Sequence, residues 1–163
     1  MEANILIFKF FLVIFIFFLF FNGNQNKKSI LGEARIIDGD TIHIGINKIR
    51  LHGIDAPEQG QNCILNNKKW ACGKQSTIFL SKLIKNKSIS CNIKDIDKYK
   101  RLIAVCFLDS LNINKFIVKS GWAIAYRYYS MDYVNDEEIA KKNKLGIWSS
   151  KFDEPYIHRK KNK

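Results

Sequence analysis

The chain has 163 residues, with 27 Lys and Arg against 15 Asp and Glu and a formal net charge of +12. That length suits one ordinary domain with a sizeable core and excludes an array of domains, and residues 30–157 hold neither an internal repeat nor a low-complexity linker. The basic balance suits a polyanionic partner, but a Lys- and Asn-rich chain with solvated lysines has the same charge, so charge alone decides nothing.

Residues 5–21, ILIFKFFLVIFIFFLFF, are apolar except for Lys9, and the unbroken run 10–21 is twelve residues long. A secretory h-region needs ~7–15 residues and a spanning helix ~20. Residues 1–23 therefore read as a signal peptide. An uncleaved N-terminal anchor is the alternative, because Glu2 lies in the n-region and no A-x-A site follows. In either case the remaining chain is expected to be exported: secreted, periplasmic, or tethered with its domain outside the cytoplasm.

Residues 34–46 and 48–54 alternate apolar with polar and read as paired strands turning at Asn47-Lys48. Residues 59–73 are polar and loop-like. Residues 74–85 carry Ile78, Leu80, Leu83 and Ile84 near helical spacing. Residues 88–94 and 102–108 are again strands, and facing Cys91 with Cys106 sets Ile93 against Ala104 and Ile89 against Leu108. A short helix ending at Gly121, a charged helix over 132–144 and a basic disordered tail over 158–163 complete the chain. The expected fold is α+β: a domain over 30–157 built on a five-stranded OB-like antiparallel barrel with about three helices.

Four cysteines in an exported chain suggest two disulfides. Cys63 and Cys72 would close a short polar loop, and Cys91 and Cys106 sit where strands pair, so 63–72 with 91–106 is the expected choice among three connectivities. Zinc lacks any C-x-x-C spacing, and free buried thiols are the plainer alternative.

The chemistry concentrates in residues 36–58. Asp40 and Asp55 lie at opposite ends of one hairpin, which antiparallel pairing can bring together. Nearby carboxylates repel unless a cation joins them or one is protonated. A hard divalent ion with oxygen ligands answers that need, and Pro57 stiffens the approach to Glu58. Turn and cap roles for the same acids are the plain alternative. Arg50, with Arg101 as a second candidate, favours phosphodiester chemistry: guanidiniums match phosphate oxygens, and a carboxylate can deprotonate the attacking water. His43, His52 and His158 have no mutual spacing for a ligand set and read as ordinary polar positions.

IDGDT, RLHGIDAPE, DKYKR and LGIW, at residues 37–41, 50–58, 97–101 and 145–148, resemble the staphylococcal nuclease (thermonuclease) family in order and spacing. The likeness runs from Ala34 to Trp148. It implies an OB-fold barrel and a Ca²⁺-dependent endonuclease of little sequence specificity, acting on DNA and RNA and leaving 3′-phosphates. By position, Asp40 and Asp55 would be calcium carboxylates, with the Ala56 carbonyl as a further ligand. Glu58 would be the general base, and Arg50 and Arg101 the phosphate-binding pair. Tyr99, Tyr126 and Tyr128 would contact the nucleotide. Lys100 stands where the family has Gly, at a turn that a side chain would strain. Asp38 reads as part of the turn.

DNA and RNA are thus the expected partners of a monomer, with a possible membrane tether through the N-terminal segment. A non-catalytic OB-type nucleic-acid-binding module and a tethered protein binding anionic lipid are the competing classes.

Overall fold

The computed structural model describes residues 28–162. The apolar segment 5–21, and with it the signal peptide or anchor expected in residues 1–23, lies outside the described residues. The expected membrane tether is corrected: among the described residues no helix is long and apolar enough to cross a membrane. The longest of them has 13 residues, short of the ~20 that a span requires.

Five strands form the barrel: β1 (Ser29–Ile36), β2 (Thr41–Ile44), β3 (Asn47–Leu51), β7 (Ser88–Ile96) and β8 (Leu102–Leu108). They run in the order β3-β2-β1-β7-β8, and a parallel pairing of β3 with β8 closes the sheet on itself. The sheet is thus mixed where a wholly antiparallel one was expected. Short strands β4 (Ile54–Asp55) and β10 (Ile124–Ala125) pair beside the barrel, and β9 (Leu111–Asn112) pairs antiparallel with the end of β8. Among the described residues four helices follow the sheet segments: α1 (Cys72–Ile84), α2 (Ile113–Lys119), α3 (Val134–Lys142) and α4 (Pro155–Lys161), with a 3-10 turn at Gly146–Ser149.

Alternation accounts for most of this. Along β1 every second residue is half-buried and its neighbours are exposed, the pattern of a strand with one face on a core. The barrel interior takes Ile42, Ile49, Leu51, Ile89 and Ala104, and α1 lays Leu80 and Ile84 into the same cluster. The β7–β8 register pairs Cys91 with Cys106 and Ile93 with Ala104, as expected, and a bulge follows between Ile93 and Asp95. Both expected disulfides, 63–72 and 91–106, are present.

Three segments differ from the sequence reading. The β2–β3 turn falls at Gly45–Ile46, while Asn47 and Lys48 pair with Ile44 and His43. Gly45 takes φ +56°, a conformation open to glycine without cost, and so decides the turn. The polar stretch expected as a loop contains a hairpin, β5 (Cys63–Leu65) with β6 (Lys68–Trp70). Its tip residues Asn66 and Asn67 both take positive φ, which asparagine tolerates better than most residues. The expected basic tail is largely helix α4, begun by Pro155 in its first turn, where the missing N–H costs nothing.

Asn114, fully buried on α2, ties these layers together. Its Oδ1 accepts from the Cys106 N–H at 3.0 Å, and its Nδ2 donates to the carbonyls of His52 at 3.0 Å and Ala104 at 3.2 Å. Asn114→Ala removes the side-chain partner of the Cys106 N–H and the His52 carbonyl, while the Ala104 carbonyl keeps the His52 N–H at 2.8 Å. The substitution is expected to destabilise the fold by about 2 kcal/mol, measured by urea unfolding.

Candidate active site

The site begins in the turn that opens β2. The Asp38 carboxylate accepts from the Asp40 N–H at 3.0 Å, which gives Asp38 the structural role expected of it. The Leu51 N–H donates to the Asp40 carbonyl at 2.8 Å, fastening the start of β2 to the end of β3. Thr41 and Arg50 are register partners. The chain then bends back through β4, and the Ala56 N–H donates to Asp40 Oδ2 at 2.7 Å. Hairpin pairing thus sets Asp40, Arg50, Asp55 and Ala56 side by side.

Arg50 occupies the space between the two aspartates. Its Nη1 lies 2.6 Å from Asp40 Oδ1 and its Nη2 2.9 Å from Asp55 Oδ1. Asp40 and Asp55 are both buried, Asp55 completely. Burial pushes the Asp40 carboxyl up to about 7; the Arg50 guanidinium opposes the rise, and the Asp38 and Asp55 carboxylates add to it.

Glu58 stands at the mouth of the site, with its side chain partly exposed. Gln61 fixes its backbone: Glu58 N–H donates to Gln61 Oε1 at 3.2 Å, and Gln61 N–H donates to the Glu58 carbonyl at 2.7 Å. Gly73, near the start of α1, packs directly on that carbonyl, so any Cβ there would collide with it.

A residue read as tail completes the cluster. Arg159 on α4 reaches Asp55 through Nη1 to Oδ1 at 3.0 Å and Nη2 to Oδ2 at 3.1 Å, and its Nη1 also lies 2.7 Å from Glu58 Oε1. Burial works against the Arg159 charge, but the hydrogen bonds to Asp55 and Glu58 outweigh it and raise the Arg159 pKa. Pro155 could have flagged the helix as a start signal. No local pattern connects residue 159 with residue 55.

Arg101 is held elsewhere. It caps the β7–β8 turn, its Nε donating to Asp97 Oδ2 at 2.7 Å and its N–H to Asp97 Oδ1 at 2.9 Å. Its guanidinium stands 5.6 Å from the Tyr99 ring centroid. Arg101 therefore lies just before β8, whose Ile103 is the register partner of Arg50, but its contacts are with Asp97 and Tyr99, not with the carboxylates. Lys100 takes φ +62°, the left-handed conformation anticipated for a position that is Gly in the family.

Tyr126 lies close enough to Asp55 for that carboxylate, after burial, to raise its pKa. It forms an aromatic group with Tyr128, Tyr129 and, from α4, Tyr156. Tyr128 is 81% exposed and Tyr129 67% exposed. Trp122, for which both base stacking and barrel packing were open, packs against Phe79 and Trp70.

Among the described residues no group of three or more His, Cys, Asp or Glu side chains is gathered to hold a metal ion. The site offers two buried aspartates with guanidiniums between them, and Glu58 set apart behind Arg159. The donors are all hard oxygens, the kind a Ca²⁺ or Mg²⁺ ion takes.

The Asp97 carboxyl gives a pH signature for the Arg101 turn. Burial works to raise its pKa, but the N–H and guanidinium of Arg101 and the N–H of Tyr99 bring it below its ordinary value. A lowered folded pKa contributes stability at neutral pH that is lost as pH falls through that value. Asp97→Ala should thus be less stable than the parent at pH 7, with the gap narrowing in acid. Urea unfolding of both proteins across pH measures this, and a gap independent of pH would contradict it.

A sequence model of the staphylococcal nuclease homologue family matches residues 48–150, so Asp40 and Arg159 lie outside the matched span. The succinoglycan biosynthesis protein ExoI of Rhizobium meliloti is 32% identical over 123 residues, covering 73% of this chain and 64% of its own length. An uncharacterized endonuclease of Haemophilus influenzae is 34% identical over 132 residues, covering 77% of this chain and 69% of its own. A micrococcal nuclease of Shigella flexneri is 32% identical over 151 residues, covering 81% and 82%. The chain thus spans less than two thirds of the Rhizobium protein and more of the other two. Its barrel, its four recognition motifs and these likenesses agree, and the chain belongs to the staphylococcal nuclease homologue family.

Proposed function

We propose that this protein is an exported endonuclease that hydrolyses phosphodiester bonds of DNA and RNA with little sequence specificity. The observation that carries the reading is the convergence of Asp40, Asp55, Glu58 and Arg50 in one site on a strongly basic domain. The endonuclease and nuclease relatives support it.

The reaction follows from the donors. Arg50 supplies a planar fork for the phosphate oxygens and neutralises charge as the pentavalent transition state forms. Glu58, at the exposed mouth, accepts a proton from the attacking water, worth about 10²–10⁴-fold in rate. The new P–O bond forms as the P–O5′ bond breaks, and the departing 5′-oxygen takes up a proton, leaving a 3′-phosphate. Arg101 would assist that departure by releasing Asp97 and turning toward the site. A hard divalent cation, Ca²⁺ by family resemblance, fits the Asp40 and Asp55 carboxylates and the Ala56 carbonyl, and when bound it supplies further charge stabilisation.

Tyr126 and Tyr128 offer rings for base stacking beside Asp55, with Tyr99 beside Arg101, which favours unpaired strands. Export is supported by the two disulfides, which persist in an oxidising compartment, secreted or periplasmic.

Glu58→Ala should cut DNA hydrolysis by about 10²-fold or more while leaving circular dichroism and oligonucleotide binding near the parent's. Excess EGTA should stop the parent enzyme. Undiminished cleavage in either case overturns the mechanism, and equal binding with no cleavage by the parent marks a binding module instead. On one sequence, single strands should be cut faster than duplex, measured as initial rates.

A further inference from the structure

Asp55 has no free carboxylate oxygen. Oδ1 faces Arg50 Nη2 at 2.9 Å and Arg159 Nη1 at 3.0 Å, and Oδ2 faces Arg159 Nη2 at 3.1 Å. The same Arg159 Nη1 holds Glu58 Oε1 at 2.7 Å. One guanidinium therefore occupies both the carboxylate proposed to take a cation and the carboxylate proposed to take a proton from water. In that arrangement both oxygens of Asp55 and one oxygen of Glu58 are engaged, so a cation cannot reach Asp55 until Arg159 yields.

The two arginines on Asp55 differ in freedom. Arg50 belongs to a barrel strand and its side chain is 12% exposed, whereas the Arg159 side chain is 35% exposed on a helix of seven residues. The chain is anchored ahead of that helix. Lys151 bridges to Ile64, and Gln61 Nε2 donates to the Asp153 carbonyl at 2.7 Å. Within α4, Tyr156 faces the Tyr126 ring at 6.4 Å. Arg159 can thus leave Asp55 while the segment before α4 stays fixed.

Electrostatics gives the direction of that movement. A divalent cation entering beside Asp55 is a like charge for Arg159 and competes for the same oxygens. The displaced fork then faces the anion that arrives next, and a phosphate is matched to it in shape and charge. We propose that Arg159 and the divalent cation are alternative occupants of Asp55, and that the displaced Arg159 binds the substrate phosphate. This rests on the cation-dependent nuclease reading, since it assigns a third arginine to that site.

Arg159→Ala separates the two halves of the idea, with circular dichroism checking that the barrel is kept. Without nucleic acid, calorimetric Ca²⁺ affinity should rise about tenfold or more, because the competitor is gone. With Ca²⁺ present and Glu58→Gln in both proteins to prevent cleavage, affinity for a single-stranded DNA oligomer should fall by about tenfold. Arg159→Lys, which keeps the charge but not the fork, should lie between parent and Ala in both measurements. A helix that had merely come loose, with no phosphate role for Arg159, would raise Ca²⁺ affinity but leave DNA affinity at the parent's value. Equal Ca²⁺ affinity, or equal DNA affinity, in parent and Arg159→Ala overturns the proposal. If neither protein binds Ca²⁺, the cation reading fails and the exchange fails with it; if both bind it equally, only the exchange fails.

Discussion

Two buried aspartates held apart by one guanidinium are the constraint on which this site depends. Asp40 and Asp55 could not share a dry pocket as neighbouring anions, and Arg50 touches both at 2.6 and 2.9 Å. Removing one partner from such a buried arrangement costs about 3–5 kcal/mol, because the remaining charge has no solvent to take it. The barrel exists in a form that makes this contact unavoidable. Thr41–Arg50 register sets Arg50 beside the residue after Asp40, and closure of β3 onto β8 fixes the strand that carries Arg50. A slip of one residue would turn Arg50 outward and drive Ile49 or Leu51 into the polar pocket.

Much of this was legible because it is local or periodic. Period-two alternation identified the barrel strands, and facing Cys91 with Cys106 set Ile93 against Ala104, the register that β7 and β8 adopt. The acids were legible as a group because a hairpin must return its ends to the same place. The misread segments share a different cause. Gly45–Ile46 and Asn66-Asn67 form turns through positive φ at one or two residues, a backbone choice that competes with several equally polar neighbours in the sequence. The basic run after Pro155 looks like a solvated end, and its charge is informative only once Asp55 and Glu58 are seen opposite it.

Lys100 shows where a motif and its chemistry can separate. The turn requires the left-handed conformation, and Lys adopts it at φ +62° at a cost of about 1–2 kcal/mol relative to a residue without Cβ. The strain is met by Asp97, which accepts from the N–H groups of both Tyr99 and Arg101. The same carboxylate also binds the Arg101 guanidinium. Asp97 thus holds the turn through Oδ1 and the Arg101 guanidinium through Oδ2, which ties this arginine to its own turn.

The region around Glu58 is coupled to the far end of the chain by contacts that no single motif contains. The Cys63–Cys72 disulfide closes the β5–β6 hairpin onto the start of α1, and Gly73 in that first turn packs on the Glu58 carbonyl. Gln61, just before the hairpin, binds the Glu58 backbone on one side and the Asp153 carbonyl on the other. Ile64 within the hairpin bridges to Lys151. The disulfide thus braces one element that supports Glu58 and also seats the segment leading to Arg159. Orienting a carboxylate and delivering its guanidinium partner are, in this fold, tasks of the same short hairpin.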